Sequence, residues 1–234
     1  DLYKSMKLPE LIERVSDIPG VEWIRLHYAY PAHFPKDLLR VIRERNNVCS
    51  YLDIALQHIS DDMLKKMRRN ITKQETIDLI SLFRDEVPGI HLRTTLMVGH
   101  PGETDQDFEE LIDFVKRTRF ERLGAFPYSH EEGTYCDSNY VDDVPAEIKQ
   151  QRMNYLMEIQ EAISLSINES KVDSTLKVII DREDPDFYVG RSEFDSPEVD
   201  GEVLIRKDKE LVIGEFYNVE ITGALPFDLE GVVE

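Results

Sequence analysis

The run "RTTLMVGHPGETDQDFEEL", residues 93–111, sets Gly99, His100, Pro101, Gly102 and Glu103 between an apolar stretch and an amphipathic one. Two glycines and a proline at one junction make a tight turn where backbone comes close to something, either a ligand or a neighbouring element. Thr104 and Asp107 then form a capping box, so the turn feeds a helix start whose backbone N–H groups face outward. No Gly-Lys-Ser/Thr follows, which excludes a phosphate-cradling P-loop. Other polar residues close apolar stretches in the same way. His27 and Tyr28 end "VEWIRLHY", Gln57 and His58 end "YLDIALQH", Tyr128 and Ser129 end "RLGAFPYS", and Arg93 lies within its stretch. Each alone is more often structural than catalytic, but all of them at one end of successive parallel strands form the place where such folds build sites.

The remaining reactive residues carry less. The histidines show no HExxH spacing, and His33, His91 and His130 read as structural or surface residues. Cys49 and Cys136 lie too far apart in sequence for a metal-ligand spacing; Cys49 reads as a buried small hydrophobe preceding a strand, Cys136 as part of a polar loop. "KKMRR" (65–69) is a basic island in an acidic chain. It fits a contact to phosphate or carboxylate, or simply a solvated helix face.

The elements that must position these residues alternate. After the strand at 21–28, "PKDLLRVIRER" (35–45) is helical, with Pro35 at a first helical position. A strand at 51–57 precedes a short helix at 60–69 with Ser60 as N-cap, and the next helix, 72–87, opens with the box Thr72 and Glu75 and stops at Pro88-Gly89. Strand 90–99, helix 104–118 and strand 122–129 follow. This is the grammar of parallel βαβ units. Residues 130–145 break it with a polar, turn-rich segment, and a long helix runs from Pro145 to about Lys171. Beyond it come five short strands without a helix, the pattern of a small antiparallel β-barrel. The expected division is 1–170 and 171–234. No apolar run is long enough for a membrane helix, and the opening "DLYKSMKLPELIERV" begins without Met and reads as mid-protein sequence, so a longer parent chain is expected.

Charge narrows the partner class. The 234 residues carry a formal net charge of -19. Residues 171–234 hold 7 Lys and Arg against 17 Asp and Glu, a net of -10. Phosphate backbones need clustered bases, so this composition argues against direct nucleic-acid binding and favours a basic partner. Few cysteines and no membrane helix suit a cytosolic, cytoplasmic setting.

"YLDIALQHISDDMLKKMRR", "RTTLMVGHPGET" and "RLGAFPYSHEEGT" resemble the radical S-adenosylmethionine methylthiotransferases, and the closing strands resemble their TRAM domain. The resemblance implies an α/β fold: the C-terminal part of a radical-SAM partial βα barrel with parallel strands, followed by a small antiparallel TRAM β-barrel. "AYP" (29–31), "FPYSHEEGT" (126–134) and "DFYVGRSEFDSPEVDGEVLI" (186–205) are similar to the type that methylthiolates the β-carbon of an aspartate in a basic small-subunit ribosomal protein. The acidic barrel agrees with that type over the sibling that modifies tRNA adenosine. A non-catalytic module docking on a basic ribosomal protein is the reading from another class.

The same resemblance implies S-adenosylmethionine and two 4Fe-4S clusters in the parent. It places Gly99, His100, Pro101, Gly102 and Glu103 near the adenosine, Gln57, His58 and Arg93 along the cofactor pocket, and Tyr128 and Ser129 at its side. In the broader superfamily an acidic residue follows the glycine slightly earlier than Glu103 does. The family's three-cysteine cluster motif does not occur here, and two distant cysteines cannot hold a cluster that needs three or four thiolates. This segment by itself is therefore expected to be inactive.

Overall fold

The computed structural model describes all residues except 1, 2 and 4, so Asp1, Leu2 and Lys4 of the opening run lie outside the described residues. Helix α1 (Leu8–Ser16) precedes β1 (Ile24–Ala29), α2 (Asp37–Glu44), β2 (Val48–Gln57), α3 (Asp61–Lys66) and α4 (Lys73–Glu86). Then come β3 (His91–Val98), α5 (Asp105–Thr118), β4 (Arg122–Pro127), α6 (Tyr135–Asn139) and α7 (Ala146–Glu169). The four strands form one parallel sheet in the order β1-β2-β3-β4. The expected α/β class with a parallel partial barrel is what the chain adopts.

Both capping boxes form. Thr72 accepts from the Glu75 N–H and Thr104 from the Asp107 N–H, with each acid returning to its cap's backbone. Period-two burial along β3 shows how the sheet is used. Leu92, Thr94, Leu96 and Val98 are buried against helices, while His91, Arg93, Thr95 and Met97 turn to the concave face. Apolar residues of α2, α4 and α5 complete that core, with Leu38, Leu39, Phe83, Leu111 and Val115 nearly or fully buried.

Strands β5 (Thr175–Glu183), β6 (Phe187–Ser192), β7 (Val203–Arg206), β8 (Phe216–Ala224) and β9 (Leu229–Val233) close a barrel in the order β5-β6-β7-β9-β8. Its own core is Val178, Ile180, Val203, Ile205, Val219 and Ile221, all with no exposed surface. Closure removes free edges, which suits so small a unit.

Several sequence expectations need correction. The barrel is not purely antiparallel, because β7 and β9 pair in parallel. Pro35 sits outside α2: Lys36 is the N-cap and the Leu38 N–H closes a turn onto the Pro35 carbonyl. Cys49 does not precede β2 but lies within it, 1% exposed. The turn-rich segment 130–145 contains the short helix α6, capped by Thr134. Ser60 is the N-cap residue of α3, yet its hydroxyl leaves the helix and donates to Asp107 instead.

Candidate functional site

At the C-terminal ends of the strands a cavity of about 380 Å³ opens, lined by Gln57, Met97, His100, Tyr128 and Ser129 from strand ends and by Lys66, Arg68, Arg69, Tyr135 and Cys136 from the segments after β2 and β4. Its size falls within the roughly 300–1,000 Å³ of small-molecule sites. Gln57, His100, Tyr128 and Ser129 were legible as strand-end residues, and the fold brings these four together. Backbone strain collects in the same region: Tyr28 (φ 58°), Gln57 (φ 71°) and Arg68 (φ 57°) are left-handed without being glycine. Such conformations cost about 1–3 kcal/mol each and persist where packing over-determines them.

The hydrogen bonds at the wall assign donors. His100 Nδ1 lies 3.0 Å from the Pro101 carbonyl, which can only accept, so Nδ1 carries the proton. Nε2 is then free to accept from the Cys136 thiol at 3.5 Å, while the Tyr128 hydroxyl donates to Cys136 Sγ at 3.1 Å. Burial lowers the pKa of His100 and keeps it neutral. Cys136, read as a polar-loop residue, thus joins the wall; nothing in its sequence spacing signalled this.

Below the turn the structure departs from the sequence reading. Glu103 is 5% exposed and faces inward. Its Oε2 accepts the Gly99 N–H at 2.7 Å and its Oε1 accepts from Arg152 Nη1 at 2.8 Å. His58 is fully buried beside it: Nδ1 accepts the Ser60 N–H at 3.0 Å, and Nε2 stands 3.6 Å from Glu103 Oε2. Neither His58 nor Glu103 lines the cavity; both brace the loop that does. Arg93 is a second relocation. It sits near the start of β3, at the opposite end of the concave face, bound to Asp53 at 3.1 Å and to Asp200 of the closing barrel at 3.2 Å.

The glycine question resolves toward a neighbour. A Cβ on Gly99 (φ 73°) would stand 2.3 Å from Lys149 Cγ, and one on Gly102 (φ 73°) would stand 2.4 Å from Lys66 Nζ. Lys149 is 7% exposed on α7, its ammonium held by Asp142 at 2.6 and 2.7 Å. Gly99 is therefore required by its own backbone and by the stem of Lys149, and Gly102 by its backbone, since the tip of Lys66 can move aside. Lys149 and Arg152, one helical turn apart on α7, were not singled out from sequence, because their partners lie in distant loops.

The basic island gains meaning from its surroundings. Among the described residues, Arg43, Lys73, Arg93, Arg122, Lys149 and Arg152 all have carboxylate partners. Lys65, Lys66, Arg68 and Arg69 form no ion pair among the described residues, and Lys66 Nζ donates to the Gly102 carbonyl at 2.8 Å. Arg69 stacks on Tyr30 at 4.5 Å and donates to the Ala55 carbonyl, but its buried Nε has no partner among the described residues. Arg68 lies over Tyr135 at 4.6 Å. An electropositive rim therefore borders the cavity of an acidic protein. Among the described residues, no group of three or more His, Cys, Asp or Glu could hold a metal ion.

Comparison with known proteins agrees with this geometry. Residues 5–115 match the model of the Radical SAM superfamily, and residues 172–233 match that of the TRAM domain. The chain is 68% identical over 233 residues to a protein of Parabacteroides distasonis named ribosomal protein uS12 methylthiotransferase RimO, covering 100% of this chain and 54% of that one. Identically named proteins of Bacteroides thetaiotaomicron and Cytophaga hutchinsonii are 65% and 52% identical, over 98% and 100% of this chain and 53% of each of theirs. The chain spans about half the length of the curated relatives it matches. Among solved structures, the coproporphyrinogen III oxidase HemN of Escherichia coli, described as a radical SAM enzyme, gives a TM-score of 0.49 at 18% identity over 65% of this chain and 36% of that one. The parallel partial barrel thus matches the Radical SAM superfamily and the closing barrel the TRAM domain, and over its whole length the chain is similar to proteins named ribosomal protein uS12 methylthiotransferase.

Proposed function

We propose that this chain is the S-adenosylmethionine-binding and TRAM portion of an enzyme that methylthiolates ribosomal protein uS12, acting on the β-carbon of an aspartate. The observation that carries the cofactor part is the mouth cavity bordered by Lys66, Arg68 and Arg69, of which Arg69 Nε has no hydrogen-bond partner among the described residues. S-adenosylmethionine is a nucleoside bearing a carboxylate, and a desolvated guanidinium with a free N–H is suited to that group. Arg69 would take the carboxylate, and the strand-end polar groups Gln57 and Ser129 would face the polar atoms of the nucleoside. His100, Pro101 and the glycines hold the loop's shape. A bound 4Fe-4S cluster would supply reductive cleavage of S-adenosylmethionine, but the thiolates for it are not among the described residues.

The TRAM barrel supports a protein substrate. Its net charge of -10 repels phosphate and attracts a basic ribosomal protein, which favours this reading over the tRNA-modifying one. The division near Lys171 and a cytoplasmic setting belong to the same proposal; among the described residues no helix is long and apolar enough to cross a membrane. Calorimetric titration of the parent enzyme with S-adenosylmethionine tests the cofactor assignment. Arg69→Ala should weaken binding by about tenfold or more, the loss of one charge-assisted contact. Unchanged affinity would remove Arg69 and the rim from the site.

A further inference from the structure

The loop 193–202 connects β6 to β7 of the TRAM barrel and reaches back to the parallel sheet. Arg93 on β3 and Arg122 on β4 are direct register partners, so two guanidiniums stand side by side on one face. Like charges so placed repel. Each is neutralised by a carboxylate of that loop, Asp195 at Arg122 and Asp200 at Arg93. The two acids differ in what lies beyond the arginine. Arg122, having met Asp195, donates onward to the Glu121 carbonyl and, among the described residues, to no second carboxylate. Arg93 instead bridges two carboxylates, taking Asp200 through Nε at 3.2 Å and Asp53 through Nη1 at 3.1 Å.

Asp53 continues the line. Its Oδ2 accepts the Tyr28 N–H at 3.2 Å and stands 3.8 Å from His27 Nδ1. Tyr28 is the left-handed, 86% exposed residue at the end of β1. Asp200 is itself fixed, its Oδ2 accepting from the Tyr51 hydroxyl at 2.8 Å and from the Ser196 N–H at 2.9 Å. The side chains of Asp53 and Asp200 are each 3% exposed and that of Arg93 is 15% exposed, so water cannot replace any member freely.

We propose that Asp200 is a positioning residue supplied by the TRAM barrel, which through Arg93 and Asp53 holds the strained His27–Tyr28 wall of the radical-SAM chamber. The role rests on the reading of the concave face as the reaction chamber. On this account the TRAM barrel both carries the acidic surface and completes the chamber. Removing Asp200 leaves Arg93 with one carboxylate and lets it draw Asp53 away from the Tyr28 amide.

Amide hydrogen exchange on the 234-residue chain reads this without requiring turnover. Asp200→Asn should speed exchange of the Tyr28 amide by about tenfold, whereas Asp195→Asn should speed exchange around β4 and leave Tyr28 protected. Asp200→Glu, which keeps the charge, should restore part of the protection. Should Asp200→Asn fail to fold, Arg93→Lys serves, because a lysine is a point charge without the fork that spans two carboxylates. Equal exchange at Tyr28 in wild type and Asp200→Asn, or an equal rise in Asp195→Asn, overturns the proposal. In the parent enzyme, Asp200→Asn should lower kcat with little change in the KM for S-adenosylmethionine. A lost response to S-adenosylmethionine in wild type strikes the functional reading alone and leaves the exchange result standing.

Discussion

Replacing Gly99 by alanine separates the two reasons a glycine can stand at a strand end. Gly99 has φ 73°, and an added Cβ meets Lys149 Cγ at 2.3 Å and Lys149 Cβ at 3.0 Å. Gly89 has φ 81° with nothing within 4 Å of its added Cβ, so Gly89→Ala isolates the backbone cost alone. That cost is about 1–2 kcal/mol for an L-residue in the left-handed region. Gly99→Ala adds overpacking of about 1–3 kcal/mol, since Lys149 cannot swing away while Asp142 holds its ammonium. The total is roughly 2–5 kcal/mol, and at roughly 2–4 °C per kcal/mol a mid-range loss of about 3 kcal/mol lowers Tm by roughly 6–12 °C. Urea or thermal unfolding of the two variants measures the difference. In a cycle with Lys149→Ala the crowding portion, about 1–3 kcal/mol, should vanish as a coupling energy. If Gly99→Ala is no less stable than Gly89→Ala but binds S-adenosylmethionine more weakly, the glycine serves a ligand and the steric reasoning fails.

Two other outcomes follow from the buried charges at the domain junction. The side chains of Arg122 and Asp195 are 6% and 2% exposed, so Asp195→Asn strands a buried guanidinium and should cost about 3–5 kcal/mol in denaturant unfolding; a loss below about 1 kcal/mol would show that the pair is solvated. Lys171 lies over Phe194 beside Arg122, Asp195 and Glu121, and burial pushes its pKa down to about 8. Between that value and the usual lysine range the unfolded chain binds a proton that the folded chain does not, so stability should rise with pH across this window and carry the full penalty below it. Lys171→Met should flatten the slope in stability curves collected from pH 7 to pH 10; an unchanged slope would place its origin elsewhere.

Local chemistry made much of this protein readable before any fold was known. Thr72 with Glu75 and Thr104 with Asp107 are four-residue signals, and each forms the box its spacing implies. Strand and helix periods identified the βαβ part and the five short strands of the barrel, because apolar periodicity reports which side of an element faces a core. Parallel connectivity then placed Gln57, His100, Tyr128 and Ser129 at one mouth, since every parallel strand ends on the same side.

Contacts between residues far apart in the chain were not readable. Gly99 is glycine because of Lys149, fifty positions later, and Glu103 turns inward because of Arg152. Arg93 lies in a strand whose end lines the mouth, yet one of its two carboxylate partners is Asp200, 107 residues away. Such pairings depend on where helix α7 and the TRAM loop come to rest. The amino-acid sequence determined the elements, their caps, the common end of the strands and the sign of the TRAM barrel's charge, because these follow from neighbouring residues and composition. Tertiary structure alone decided which polar groups face the cavity and which brace it from beneath, because a buried charge is oriented by its nearest counter-charge, and only the folded chain says which one that is.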